Sequence, residues 1–151
     1  MIPVAYRQIS EQDVPSLAQI RATNSGSLQH WSARITNYLC GVVNPQNALA
    51  QRIIYCAEYD GAIVAFVAGH LSTRFGCEGE LQWIDTKSEF RGKGVGSHLV
   101  QLLAYWFISN KAYKICVDPG DQISRKFYEK NGAVMLNEHW MYWNDVRAII
   151  S

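Results

Sequence analysis

Arg91-Gly92-Lys93-Gly94-Val95-Gly96 is the stretch of the sequence best suited to hold an anion. It stands between an alternating polar and apolar segment, 80–86, and an apolar stripe at helical spacing, Val95, Leu99, Leu102, Leu103 and Trp106. A helix that starts here exposes unpaired N–H groups and the positive end of its macrodipole. Glycines carry no Cβ to keep an anion from those donors, and Lys93 and Arg91 add charge. The loop therefore reads as a cradle for a pyrophosphate. The same glycines also suit a tight turn with unusual backbone angles.

Two other phosphate loops do not fit. The dinucleotide fingerprint needs a third glycine three residues after its second. Counted from Gly92 and Gly94 that position is Ser97, and from Gly94 and Gly96 it is Leu99. A loop ending in Gly-Lys-Ser/Thr is also absent. No metal site is expected: His30, His70, His98 and His139 form no i, i+4 pair, and Cys40, Cys56, Cys77 and Cys116 form no close pairs. Cysteines so spaced read as reduced, partly buried thiols of a cytoplasmic protein.

The elements that must position this loop follow from pattern. With 151 residues, 48% hydrophobic and 18% charged, the chain is expected to fold as one domain, 1–151, and not to be disordered. Fourteen basic against 13 acidic residues give a net charge of +1, which argues against a nucleic-acid partner. No apolar run approaches the roughly 18 residues of a membrane span, and residues 1–7 lack the apolar core of a signal peptide.

Residues 4–9 read as a first strand, and Ser10 with Asp13 as a helix start. A break at 23–27 separates that helix from a second, whose stripe is Leu28, Trp31, Ile35, Tyr38 and Leu39. Residues 41–51 read as a loop. Strands are expected at 52–59 and 62–71, joined by the hairpin signal Asp60-Gly61, with a loop at 72–78. The strand 80–86 is expected to bury one face. Asn110 would close the long helix in a left-handed conformation. A short buried strand at 114–117, a helix capped by Asp121 and ended by Asn131-Gly132, and a terminal hairpin at 133–136 and 140–143 complete the reading.

Gln82-Trp83-Ile84-Asp85-Thr86 followed by Glu89-Phe90-Arg91-Gly92-Lys93-Gly94-Val95-Gly96 resembles the acetyl-coenzyme A motif of the GNAT N-acetyltransferase superfamily, with Arg91, Gly94 and Gly96 in the Gln/Arg-x-x-Gly-x-Gly/Ala positions. Asp121 through Gly132, with its Phe127-Tyr128-Glu129-Lys130, resembles that family's second cofactor-binding helix. Asp121 stands where the family often has Asn, and Ala133 where it has an aromatic. A carboxylate there would repel phosphate or bind a cation differently. The resemblance implies an α/β (α+β) GNAT-like acyl-CoA N-acyltransferase fold, a mixed and mainly antiparallel twisted sheet with helices on both faces.

It also implies acetyl-CoA as cofactor, with coenzyme A as product. Ile84 and Thr86 would pair with the pantetheine amides, and the backbone of Arg91, Gly92, Lys93, Gly94, Val95 and Gly96 would take the pyrophosphate. Asp121 and Ser124 would contribute from the second helix. The sheet would splay between strands 80–86 and 114–117 to admit the thioester.

The implied reaction is acetyl transfer to an amine of a small molecule or peptide. At pH 7 only about one such amine in a thousand is neutral, so a base must take a proton before attack. Glu80 is the candidate base, with Glu78 and Asp85 behind it; the alternative for Glu80 is a solvated carboxylate at a strand end. Tyr128 is the candidate acid for the leaving sulfur. Ile123 and Phe127 would form the buried stripe of its helix and leave Tyr128 free for the cleft. The oxyanion would meet a backbone N–H near Ile84.

Cys116 invites an acyl-cysteine route, but a small thiol in a buried strand more often packs. His98 reads as surface or packing. Trp31, Tyr38, Phe75 and Trp83 suit either core or an acceptor pocket, and Arg74, if it faces the cleft, an acceptor with a carboxylate. Transfer of another short acyl group and a non-catalytic acyl-CoA sensing module are the competing functions. A homodimer is compatible with the resemblance.

Overall fold

In the computed structural model the described residues are 3–23 and 26–150, so Asn24 and Ser25 of the predicted break lie outside them. The elements run β1 (Val4–Gln8), α1 (Val14–Ala22), α2 (Leu28–Leu39), β2 (Ala48–Tyr59), β3 (Ala62–Ser72), β4 (Gly79–Thr86), α3 (Val95–Ser109), β5 (Ile115–Val117), α4 (Gln122–Lys130), β6 (Val134–Met135) and β7 (Met141–Trp143). The strands form one seven-stranded sheet in the order β1-β2-β3-β4-β5-β7-β6. Every pairing is antiparallel except β4 with β5. The expected mixed, mainly antiparallel sheet is what forms.

Helices cover both faces. On one, α1 and α2 seat Leu17, Ala18, Ile35 and Tyr38 on Ile54, Phe66 and Trp83. On the other, α3 seats Leu99, Leu103 and Phe107 on Val67, Leu81 and Ile115, joined by Tyr128 and Trp143. Alternation along β3 feeds both cores, so β3 reads as a continuous apolar run.

Four local expectations change. β2 begins at Ala48, inside the predicted loop 41–51, because β3 extends to Ser72 and supplies a partner for Ala48 that weak strand propensity does not reveal. β4 buries residues of both faces, since Glu80, Leu81 and Trp83 are all covered. Lys111 rather than Asn110 takes the left-handed position after α3, at φ 59°; the Asn110 side-chain amide instead donates back to the Trp106 carbonyl at 2.9 Å. In α4 it is Tyr128 that is buried, while Ile123 is 83% exposed.

Gly79 sets how closely α3 can approach the start of β4. A Cβ there would stand 2.9 Å from both Phe107 Cδ1 and Ile115 Cδ1, inside van der Waals contact with buried side chains. Gly79→Ala is expected to destabilise the fold by about 1–3 kcal/mol through overpacking. A melting temperature lower by roughly 3–10 °C would report it, and an unchanged one would show that Phe107 moves aside freely.

Candidate active site

The glycine loop ends where α3 begins. Gly94 is the N-cap at φ 85° and Gly92 sits at φ 75°, conformations that favour glycine. A Cβ at either would meet nothing within 4 Å, so the loop is open on its outer side. The first turn closes with the His98 N–H donating to the Gly94 carbonyl at 3.0 Å. The N–H groups of Val95, Gly96 and Ser97 therefore stand at the helix end without intrahelical acceptors. Arg91 is tied down by its Nε, which donates to the Thr86 carbonyl at 3.1 Å, while Lys93 is exposed.

Gly96 has a different task. A Cβ there would lie 3.1 Å from the Phe127 ring and 3.9 Å from Thr86 Oγ1. Its absence lets α4 close onto the first turn of α3. The two motifs singled out in the sequence are thus neighbours in space. His98 is exposed and stacks on Tyr6 with centroids 3.9 Å apart, in keeping with the expected surface or packing role.

β4 carries the opening. It pairs with β5 only from Gly79 to Leu81, opposite Ile115 to Val117, and then runs on to Thr86. After Val117 the chain turns away at Asp118-Pro119-Gly120, where Asp118 Oδ1 accepts from the Gly120 N–H at 3.0 Å. Among the described residues the far half of β4 has β3 on one side and no strand on the other. That is the splay expected from the resemblance.

A bulge shapes the same strand. Ala68 faces Trp83 while Gly69 faces Leu81, so Gln82 is the extra residue. One residue switches the alternation: Glu80, Trp83 and Asp85 all reach the α1–α2 face, and Leu81 reaches the α3 face. Without the bulge Glu80 and Asp85 would lie on opposite faces.

Glu80 is 4% exposed, not a solvated strand-end carboxylate. Arg74 Nη1 lies 3.3 Å from its Oε1, and His70 Nε2 lies 3.6 Å from the same oxygen. Arg74 also donates to Gln46 at 3.2 Å and lies 4.3 Å over the Trp140 ring. Its charge is thus matched by Glu80 within the protein, which removes the basis for reading it as a carboxylate receptor. Phe75 is 48% exposed, at φ 55°, and packs edge-on to Trp140. Of the four aromatics considered for a pocket, only Phe75 is exposed; Trp31, Tyr38 and Trp83 are core.

The alternatives to Glu80 are engaged. Glu78 accepts from the N–H groups of Tyr113 and Lys114 at 2.8 and 3.2 Å, which fixes the entry to β5. Asp85 pairs with Arg21 at 2.8 Å, and the guanidinium lies over Trp31. Burial pushes the Asp85 carboxyl above the usual carboxylate range, with Arg21 opposing it. Cys116 is fully buried; a hydrogen bond with Cys77 and burial push its thiol up, which makes it a poor nucleophile.

Tyr128 sits at the splay. Its ring packs against Phe127 and Trp143 on the α3 side. Its phenol lies within electrostatic reach of Asp85 and Arg21 on the α1 side, and of Asp118 and Asp121. Burial pushes the phenol well above the usual tyrosine range. Asp121 caps α4 by accepting from the Ser124 N–H at 2.7 Å, a bond that holds its carboxyl below the usual value. Among the described residues no group of three metal-ligating side chains converges, and no helix is long and apolar enough to cross a membrane.

The model of the acetyltransferase (GNAT) family matches residues 15–133. The chain belongs to the GNAT acetyltransferase family. No curated protein matches the sequence. Solved structures share its GNAT fold. A GNAT-family chain from Desulfovibrio desulfuricans superposes with a TM-score of 0.75 at 14% identity, over 95% of this chain and 99% of the other. The PaiA N-acetyltransferase of Thermoplasma acidophilum, in complex with coenzyme A, gives 0.69 at 13% identity over 95% and 99%. The ribosomal-protein-alanine N-acetyltransferase of Brucella melitensis biovar Abortus 2308 gives 0.65 at 20% identity over 87% and 92%. At such identities the likeness is one of fold. For a GNAT chain, the sequence motifs marked the glycine loop and α4; the Gln82 bulge and the partners of Glu80 had no local signature.

Proposed function

We propose that this GNAT chain transfers the acetyl group of acetyl-CoA directly to a primary amine of a small molecule or peptide. The observation that carries the reading is the opposition of two features across one opening. The left-handed, unobstructed Gly92 and Gly94 lead into free N–H groups at the start of α3, and beside them the far half of β4 is paired, among the described residues, on its β3 side alone.

These residues fit the cofactor. Val95, Gly96 and Ser97 would donate to a diphosphate, with Lys93 adding charge. The β4 backbone near Ile84 and Thr86 would pair with an extended amide-bearing arm. Bound there, acetyl-CoA supplies an activated acyl group. The Asp121 carboxylate stays ionised as the cap of α4, accepting from the Ser124 N–H, so its charge faces any phosphate bound nearby. Glu80 would take the proton of the incoming ammonium and Tyr128 would hold one for the departing sulfur, the two approaching from opposite faces of the sheet.

Calorimetric titration tests the cofactor site. Both acetyl-CoA and free coenzyme A are expected to bind, and Gly94→Val to weaken both by at least about tenfold, through strain at φ 85° and a side chain over the donors. Absence of binding by the folded wild type would overturn the reading. Thiol release with a panel of amines then separates an enzyme from a sensor, which would bind without turnover.

A further inference from the structure

His70 is a fully buried titratable group that the proposed chemistry leaves without a role. It is 0% exposed, on β3, directly opposite Glu80 on β4. One ring nitrogen, Nδ1, lies 2.7 Å from the Tyr38 hydroxyl on α2. The other, Nε2, has no hydrogen-bond partner among the described residues and lies 3.6 Å from Glu80 Oε1. Tyr38, His70 and Glu80 thus form a line from the helix layer to the carboxylate.

The direction of the line follows from Tyr38. Its side chain is 1% exposed, and burial keeps the phenol protonated far above its usual range. Burial outweighs Arg52, whose guanidinium lies 4.8 Å from the Tyr38 ring, favours the phenolate and donates to the Tyr38 carbonyl at 2.6 Å. A buried O–H requires an acceptor, and His70 Nδ1 is the acceptor in reach. If Tyr38 donates to Nδ1, the neutral imidazole carries its hydrogen on Nε2. That hydrogen faces the Glu80 carboxylate, whose other close groups are Arg74 and, within electrostatic reach, the thiols of Cys77 and Cys116.

We infer that His70 is a positioning residue for Glu80, locked by Tyr38 as the Nε2–H tautomer so that its N–H and Arg74 hold the carboxylate from two sides. The 3.6 Å gap is longer than a hydrogen bond and closes with a shift of a few tenths of an ångström. The same tautomer makes His70 unable to accept a proton from Glu80 at Nε2. It aims the base and does not relay its proton. The inference rests on reading Glu80 as the base, but the lock itself exists in the protein alone.

Nitrogen-15 NMR of the imidazoles in the cofactor-free protein tests the lock without turnover. His70 is expected to show a bare Nδ1 and a protonated Nε2, and Glu80→Gln to move the Nε2 signal more than the Nδ1 signal. A protonated Nδ1 overturns the inference whatever the enzyme does. Kinetics test the aim. His70→Asn, which ends near Nδ1, is expected to lower kcat about 10- to 100-fold with KM for acetyl-CoA unchanged. His70→Gln, whose amide N–H reaches the Nε2 position, is expected to recover most of that loss. Equal losses in the two variants, both folded by circular dichroism, would overturn the positioning role. A wild type with the expected tautomer and no thiol release would instead refute the enzymatic reading of Glu80.

Discussion

Glu80→Gln is expected to lower turnover about 10²- to 10⁴-fold, the usual worth of a positioned general base, while coenzyme A binds as before. The amide matches the carboxylate in shape but accepts no proton. Its site is separate from the loop that would hold the diphosphate, so cofactor affinity is an internal control. The substitution also leaves Arg74 without its counter-charge. Arg74 is 19% exposed and keeps Gln46 and the Trp140 face. The stability loss is therefore expected to fall below the roughly 3–5 kcal/mol of a fully buried pair stripped of one partner. Thermal melts, calorimetry with coenzyme A and single-turnover acetyl transfer separate the three effects. Near-normal turnover would remove Glu80 from the mechanism.

How these side chains came to be identifiable differs from residue to residue. The glycine loop was legible because its signal is local. Gly92 and Gly94 need positive φ, and the apolar stripe behind them fixes the helix. Asp60-Gly61 was legible for the same reason, with both residues at positive φ as a two-residue hairpin demands. The bulge was not. Residues 80–83 alternate and Trp83-Ile84 breaks the pattern, but the break does not say which residue is extra; only the register of β3, with Ala68 on Trp83 and Gly69 on Leu81, makes it Gln82.

Burial of Glu80 follows from partners ten and six residues away that no periodicity connects to it, His70 and Arg74. In α4 the spacing of Ile123 and Phe127 suggested the buried stripe. The helix instead meets the core near its C-terminal end, where Tyr128 packs on Trp143 and Trp143 Nε1 donates to the Asn131 carbonyl at 2.9 Å. A nine-residue helix anchored at one end leaves its first turn, Ile123 included, outside.

Tyr128→Phe is expected to cost turnover about 10- to 10²-fold, less than Glu80→Gln. A thiol of ordinary pKa near 8.5 leaves tolerably as a thiolate, so help from an acid is worth less than help from a base acting on an ammonium. Burial pushes the Tyr128 phenol above its usual range. It therefore keeps its proton throughout the neutral and mildly alkaline range, where it acts as an acid and cannot be the base. The loss in Tyr128→Phe should accordingly be the same at pH 7 and pH 9.

The fold should tolerate the change. Among the described residues the hydroxyl makes no hydrogen bond, and the ring contacts to Phe127 and Trp143 remain. The raised pKa has a second consequence with a definite sign. Above about pH 10 the unfolded phenol ionises while the buried one does not, so the folded state binds more protons and stability falls as pH rises. Tyr38 shares this behaviour, and Tyr128→Phe should make the alkaline fall shallower without abolishing it. An unchanged rate across pH would leave Tyr128 a packing residue of the splay, and a loss confined to alkaline pH would assign it a proton to accept rather than one to give.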